Sequence, residues 1–172
     1  MKWLRLLVVL IAAQGFVAAQ ALAQGSGSEM ALLSSYIGDW RGESALVGGN
    51  RNEPFRCRLG VSQGNAAKIN YTGRCTLVNA TLSISGTIAY VAAQQRYEAA
   101  MSSNAGYTGL AIGRQEGGTI SFDLREKQKD RAGSDVRIGA NIKLVDDSIT
   151  VDFEVEFNNS GEVLKASVPF SR

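Results

Sequence analysis

The chain contains no histidine. That absence removes His-based catalytic triads, histidine metal sites and histidine ligation of heme, since each depends on the imidazole ring. Only two cysteines are present, Cys57 and Cys75. They make a poor zinc site, because zinc wants four ligands and no imidazole can complete the set. Proline is scarce, with two residues, Pro54 and Pro169, one toward each end of the mature sequence. A surplus of one charge is missing too. The 18 basic residues fall to 16, against 16 acidic ones, once Lys2 and Arg5 are set aside with the leader described below. Nucleic-acid binding wants a basic face, and the net charge offers none.

Long apolar runs are also lacking. Met1-Lys2-Trp3-Leu4-Arg5 leads into the short apolar stretch Leu6–Ala13, and Ala21-Leu22-Ala23 follows as a small-x-small cleavage site. This pattern reads as a secretory signal peptide over 1–23, with Gln24 as the new N-terminus; Val17-Ala18-Ala19 is a second possible cleavage site. The apolar stretch is short for a bilayer, so no membrane span is expected. An exported chain with an even cysteine pair reads as disulfide-bonded, in a periplasmic or secreted setting. Gly25-Ser26-Gly27-Ser28 has linker composition. Residues 24–35 are therefore read as a flexible segment with a short helix over Glu29–Ser35, whose Met30, Leu32 and Leu33 would cap an opening.

What remains, 36–172, is one domain of short alternating runs punctuated by many of the 19 glycines. That rhythm argues for an all-β sandwich or barrel. Cys57, Leu59 and Val61 share one face, and Ile69, Tyr71, Cys75 and Leu77 share another. One register opposes Val61 to Tyr71, Leu59 to Gly73 and Cys57 to Cys75, and a slip of one residue breaks all of it. The bridge closes a loop of about 17 residues, which the chain-entropy model values at roughly 3 kcal/mol. Further alternation runs through Ile84, Ile88 and Tyr90, then Tyr97 and Met101, then Tyr107–Gly113, whose inward parity stays open. Phe122, Ile142, Phe153 and Phe170 mark later runs. Arg125–Asp135 is charged and reads as a long solvated hairpin loop. Ten strands with short connections close most easily into a barrel, which removes the edges.

Gly38-Asp39-Trp40-Arg41-Gly42 begins this domain, and Phe170-Ser171-Arg172 ends the chain. The first resembles the Gly-x-Trp opening of the calycins, the lipocalin-like barrels, and is closest to the Gly-x-Trp-x-Gly of nitrobindin-like heme-binding barrels. The strand count resembles the fatty-acid-binding-protein and nitrobindin branches. The resemblance implies a ten-stranded antiparallel up-and-down calycin-like β-barrel with a short N-terminal helix. It also implies that Trp40 closes one end, with Arg172 packed over its ring as a cation–π contact.

Nitrobindin-like proteins hold heme iron by a histidine, which this chain lacks. A tyrosine ligand is the remaining route, from Tyr71, Tyr90, Tyr97 or Tyr107, but tyrosine in strands is more often packing with a polar tip. No cofactor is expected. Asp152, Glu154 and Glu156 alternate with apolar residues, so they read as a solvated strand face, not a catalytic set. The expected function is binding of a small, mostly apolar ligand without catalysis. Tyr71, Tyr90, Tyr97, Met101, Tyr107 and Phe122 are the candidate ligand contacts. Arg56, Arg58 and Arg74 share the outer face of the disulfide hairpin and are a candidate anion or protein-partner site. Two rival readings stand beside this one. The Gly-x-Trp and cysteine spacing resemble periplasmic metalloprotease inhibitors, for which Gln24–Ser28 would enter the protease cleft, although those barrels are shorter and have eight strands. The other rival is an envelope structural protein with a filled barrel.

Overall fold

The computed structural model describes residues 27–172 except 66, 79 and 130–132. The expected signal segment and Gln24–Ser26 lie outside the described residues. Helix α1 spans 27–34, so residues 27 and 28, linker-like in composition, form its first turn. Ten strands follow: β1 (Gly38–Gly48), β2 (Arg51–Gln63), β3 (Lys68–Thr76), β4 (Thr81–Val91), β5 (Arg96–Ser103), β6 (Thr108–Glu116), β7 (Thr119–Lys129), β8 (Asp135–Val145), β9 (Ser148–Phe157) and β10 (Val163–Ser171). Each pairs antiparallel with the next and β10 pairs with β1, so the sheet is a closed up-and-down barrel with no free edge.

The disulfide hairpin has the register that its two faces demand. Val61 opposes Tyr71, Leu59 opposes Gly73 and Cys57 opposes Cys75. Cys57 and Cys75 are bonded, with Cα atoms 4.0 Å apart. The period-2 pattern places Leu59, Val61, Ile69 and Tyr71 inside, while Arg56, Arg58 and Arg74 stay exposed.

The charged segment Arg125–Asp135 is not one long loop. β7 continues to Lys129 and β8 starts at Asp135, with Arg125 opposite Gly139 and Lys127 opposite Arg137. The apolar alternation stops at Leu124 because Glu126 and Gln128 take the inward-parity positions beyond it, where both are half-buried. Lys129 and Asp135 close the hairpin as an ion pair of 2.7 Å.

On the outer face of β9 the carboxylates are spent on neighbours. Glu154 pairs with Lys165 at 2.9 Å, Glu156 with Arg137 at 3.0 Å and Asp152 with Lys143 at 3.7 Å. Exposed pairs of this kind contribute little to stability; they describe a solvated wall.

Candidate functional site

One end of the barrel is sealed by the first and last residues of the domain. Gly38 turns the chain into β1 with φ +145°, a region that residues with a Cβ rarely adopt. Trp40 is 1% exposed. Its indole N–H donates to the Tyr36 carbonyl at 2.9 Å, and the Arg172 guanidinium lies 4.5 Å from its ring centroid. Arg172 also donates to the Ser35 carbonyl, which ties the C-terminus to the end of α1. From α1, Leu33 is fully buried, and Met30 and Leu32 pack against the same core. A cation over an aromatic face, a buried indole and a short apolar helix together exclude water from this end.

Above that floor lies an almost wholly apolar cavity of about 400 Å³, within the usual range for ligand sites of ~300–1,000 Å³. Its wall runs from Tyr36, Leu144 and Ile149 near the floor to Leu77, Ala80, Asn104, Ala105 and Tyr107 on the hairpin loops at the other end. Ala80 and Asn104 are exposed, so the cavity meets solvent there. Asn104 is fixed by its side-chain amide, which donates to the Thr81 carbonyl at 2.9 Å and accepts from the Ser83 N–H at 2.9 Å. This rim is therefore held by hydrogen bonds between the β5–β6 loop and β4.

The candidate ligand contacts divide into two groups. Tyr71, Met101 and Tyr107 line the cavity, whereas Tyr90, Tyr97 and Phe122 do not. The reason lies in β6. Its inward positions are Gly109, Ala111 and Gly113, while the bulkier Leu110 and Ile112 face outward, 60% and 40% exposed. A Cβ on Gly113 would collide with the rings of Phe122 and the Cβ of Tyr97, and one on Gly109 with Leu124. The large side chains of β5 and β7 therefore collapse onto a strand with no bulk of its own. Phe122 is fully buried, and that side of the barrel is filled. Tyr97 instead donates to Glu29 of α1 and lies 2.9 Å from the Gln115 amide oxygen. Burial and the Glu29 carboxylate raise its pKa above the ordinary phenol value. Its ring packs on Tyr90 at 5.1 Å, and both line a second, more polar cleft with Glu29, Gln95 and Gln115.

Tyr71 is held differently. Its hydroxyl donates to the Ala100 carbonyl at 3.0 Å, crossing Gly86, where a Cβ would collide with both groups. Burial pushes its phenol up to about 12. Tyr36, which sequence reasoning did not single out as a ligand contact, is a third phenol on the cavity wall, with Tyr71 and Tyr107. It is 1% exposed, and its hydroxyl has no hydrogen-bond partner among the described residues. It stands in the turn before β1, so no strand alternation marks it as inward. The only signal was its place just ahead of the Gly-x-Trp.

On the outer wall the arginines form a row. Arg41, Arg58 and Arg74 occupy directly opposed positions on three adjacent strands, with strands about 4.8 Å apart. Glu43 takes Arg56 at 3.1 Å, so Arg56 is paired. Among the described residues, Arg41, Arg58 and Arg74 have no ion-pair partner. Like charges placed opposite each other are unfavourable, and nothing in the packing of the barrel requires them.

No family model matches the sequence. No curated protein matches it significantly either. Solved structures do match. The crystal structure of Rv2717c from M. tuberculosis aligns with a TM-score of 0.65 at 14% identity, over 83% of this chain and 96% of that one. The S-type phycobiliprotein lyase CPES from Guillardia theta aligns with a TM-score of 0.55 at 14% identity, over 88% of this chain and 94% of that one. Identity this low speaks for the fold alone. The chain shares the fold of these structures, and its closed ten-strand topology and Trp40–Arg172 closure agree with the resemblance to the calycin barrels.

Proposed function

We propose that this protein is an exported, non-catalytic binding barrel that holds one small, mostly apolar molecule. The observation that carries the reading is the cavity of about 400 Å³, apolar along its wall and meeting solvent at the loop end. A barrel that served only as a structural block would fill this side as it fills the other, where Phe122 and Leu124 lie on Gly109 and Gly113. The Cys57–Cys75 bond supports an oxidising compartment, in agreement with the signal-like residues 1–23. Among the described residues no helix is long and apolar enough to cross a membrane.

The test is titration of the purified protein with N-phenyl-1-naphthylamine, an uncharged apolar fluorophore. Saturation at one probe per chain is the expected result. Ala140 lines the cavity from β8, so Ala140→Phe should weaken the probe at least about tenfold by filling the void. Ala105→Trp at the rim should slow its binding without loading the core. Absence of probe binding to the unaltered protein overturns the proposal. Loss of protease inhibition on removing residues 24–28, with probe binding intact, would favour the inhibitor reading instead.

A further inference from the structure

The cavity carries two pieces of information about its occupant, one from what is present and one from what is missing. Present is the Tyr36 hydroxyl. It belongs to a side chain that is 1% exposed and lines the cavity, and it finds no partner among the described residues. A buried donor left unmade destabilises the empty protein. Burial raises the Tyr36 pKa, Asp146 and Asp147 act in the same direction and Arg172 opposes them; the net shift is upward, so the group stays an O–H donor across the neutral range. Of the other two phenols on the wall, Tyr71 has already given its proton to the Ala100 carbonyl, and Tyr107 stands on the β5–β6 loop at the far end.

Missing is charge. Among the described residues the cavity wall contains no Asp, Glu or Lys. Arg58 touches it, but Arg58 holds an outward strand position between the buried Cys57 and Leu59, and its side chain is exposed. At the floor Arg172 acts on the Tyr36 hydroxyl from beyond the cavity wall, but Asp146 and Asp147 act on it more strongly in the opposite sense, so an ionised carboxylate or phosphate brought inside would lose its water without a net favourable charge to replace it.

Resting on the proposed binding function, we infer that the ligand is an uncharged, largely apolar molecule with one hydrogen-bond-accepting oxygen, a ketone, ester, ether or alcohol, which it seats at the floor against the Tyr36 hydroxyl. The apolar body then lies along Ile84, Met101, Ile142 and Phe153 toward the loops. Tyr36 is held for this role from behind: its carbonyl accepts from Trp40, and its ring stacks at 6.3 Å on the same indole. The floor that seals the barrel thus also carries a buried hydroxyl with no partner among the described residues.

Displacement of bound N-phenyl-1-naphthylamine by three compounds of equal chain length tests this: a 2-alkanone, the corresponding n-alkane and the fatty acid at pH 8. The ketone should bind about 2–10-fold tighter than the alkane, the range of one hydrogen bond. The carboxylate should bind at least about tenfold weaker than the ketone. Tyr36→Phe should abolish the ketone's advantage over the alkane, read as the ratio of the two affinities within that variant. The same variant should melt at the same or a higher temperature without ligand, because it deletes an unpaired polar group and keeps the ring on Trp40. Ketone and alkane binding equally to the unaltered protein, a carboxylate as tight as the ketone, or an unchanged ketone preference in Tyr36→Phe each overturn the inference while the binding function stands. No naphthylamine binding at all overturns both.

Discussion

Replacing Trp40 with alanine removes the part of the molecule on which the end of α1 and the residue after β10 converge. The indole is 1% exposed, and burial of a large aromatic side chain hides about 150–250 Å². At about 25 cal/mol per Å² that is roughly 4–6 kcal/mol as an upper bound, and measured Phe/Trp→Ala losses in cores run about 3–5 kcal/mol. Two further contacts go with it. The Tyr36 carbonyl loses its donor at 2.9 Å, and the Arg172 guanidinium loses the ring 4.5 Å away. A loss of about 4 kcal/mol is the working figure. With a urea m-value of about 2 kcal/mol per M, the midpoint falls by about 2 M. Urea melts followed by far-UV circular dichroism measure this, since the variant loses the only tryptophan of the described residues. Trp40→Phe keeps most of the ring but not the N–H, so it should lose about 1–2 kcal/mol. A loss below about 1 kcal/mol for Trp40→Ala would mean that the indole plugs nothing, and the reasoning about barrel closure would fail.

Alkali should destabilise the protein through its buried phenols. Tyr71 stays protonated in the folded state up to about 12, against 10.0 for an ordinary phenol. Above about pH 10 the unfolded chain releases that proton while the folded one keeps it, so stability falls by about 1.4 kcal/mol per pH unit until about pH 12. Tyr36 and Tyr97 shift the same way and steepen the fall; denaturant midpoints that stay level between pH 9 and pH 12 would contradict this. Arg58→Thr relieves the like-charge row Arg41–Arg58–Arg74, and should stabilise by a few tenths to about 1 kcal/mol at low salt. The gain should shrink at 1 M salt, where charges are screened within about 3 Å, and a gain independent of salt would refute the electrostatic account. Replacing both Cys57 and Cys75 with alanine should lose about 3 kcal/mol by the chain-entropy model, read as a lower melting temperature against the oxidised parent. Tyr97→Phe, by contrast, should leave apolar probe binding unchanged, because Tyr97 stands off the cavity and holds Glu29 of α1.

Much of the architecture was legible because a strand has a period of two. Alternation separates inside from outside without knowledge of any other strand, and it placed Leu59, Val61, Ile69 and Tyr71 on the core face. A disulfide needs its Cα atoms close, so Cys57 and Cys75 fixed the β2–β3 register from local information. Trp40 and Arg172 were legible as partners through family resemblance at the two ends of the domain. The same rule failed at Arg125–Lys129, where the strand continues past the core and its inward positions are polar.

Alternation says only that a side chain points inward, not what it meets across the barrel. Tyr71, Met101, Tyr97 and Phe122 all carry inward signals, yet the first two line a void and the last two fill one. Closure of the ten strands made that division. It set Phe122 and Tyr97 against Gly113, which has no side chain to hold them off, and left the opposite side hollow. Tyr36 lies outside any strand, so only the meeting of α1, β1 and β10 turned its ring inward and left its hydroxyl without a partner among the described residues. Strand period and cysteine spacing are local properties and can be read along the chain. Whether an inward side chain meets bulk or space depends on strands far apart in sequence, and tertiary structure alone decides it.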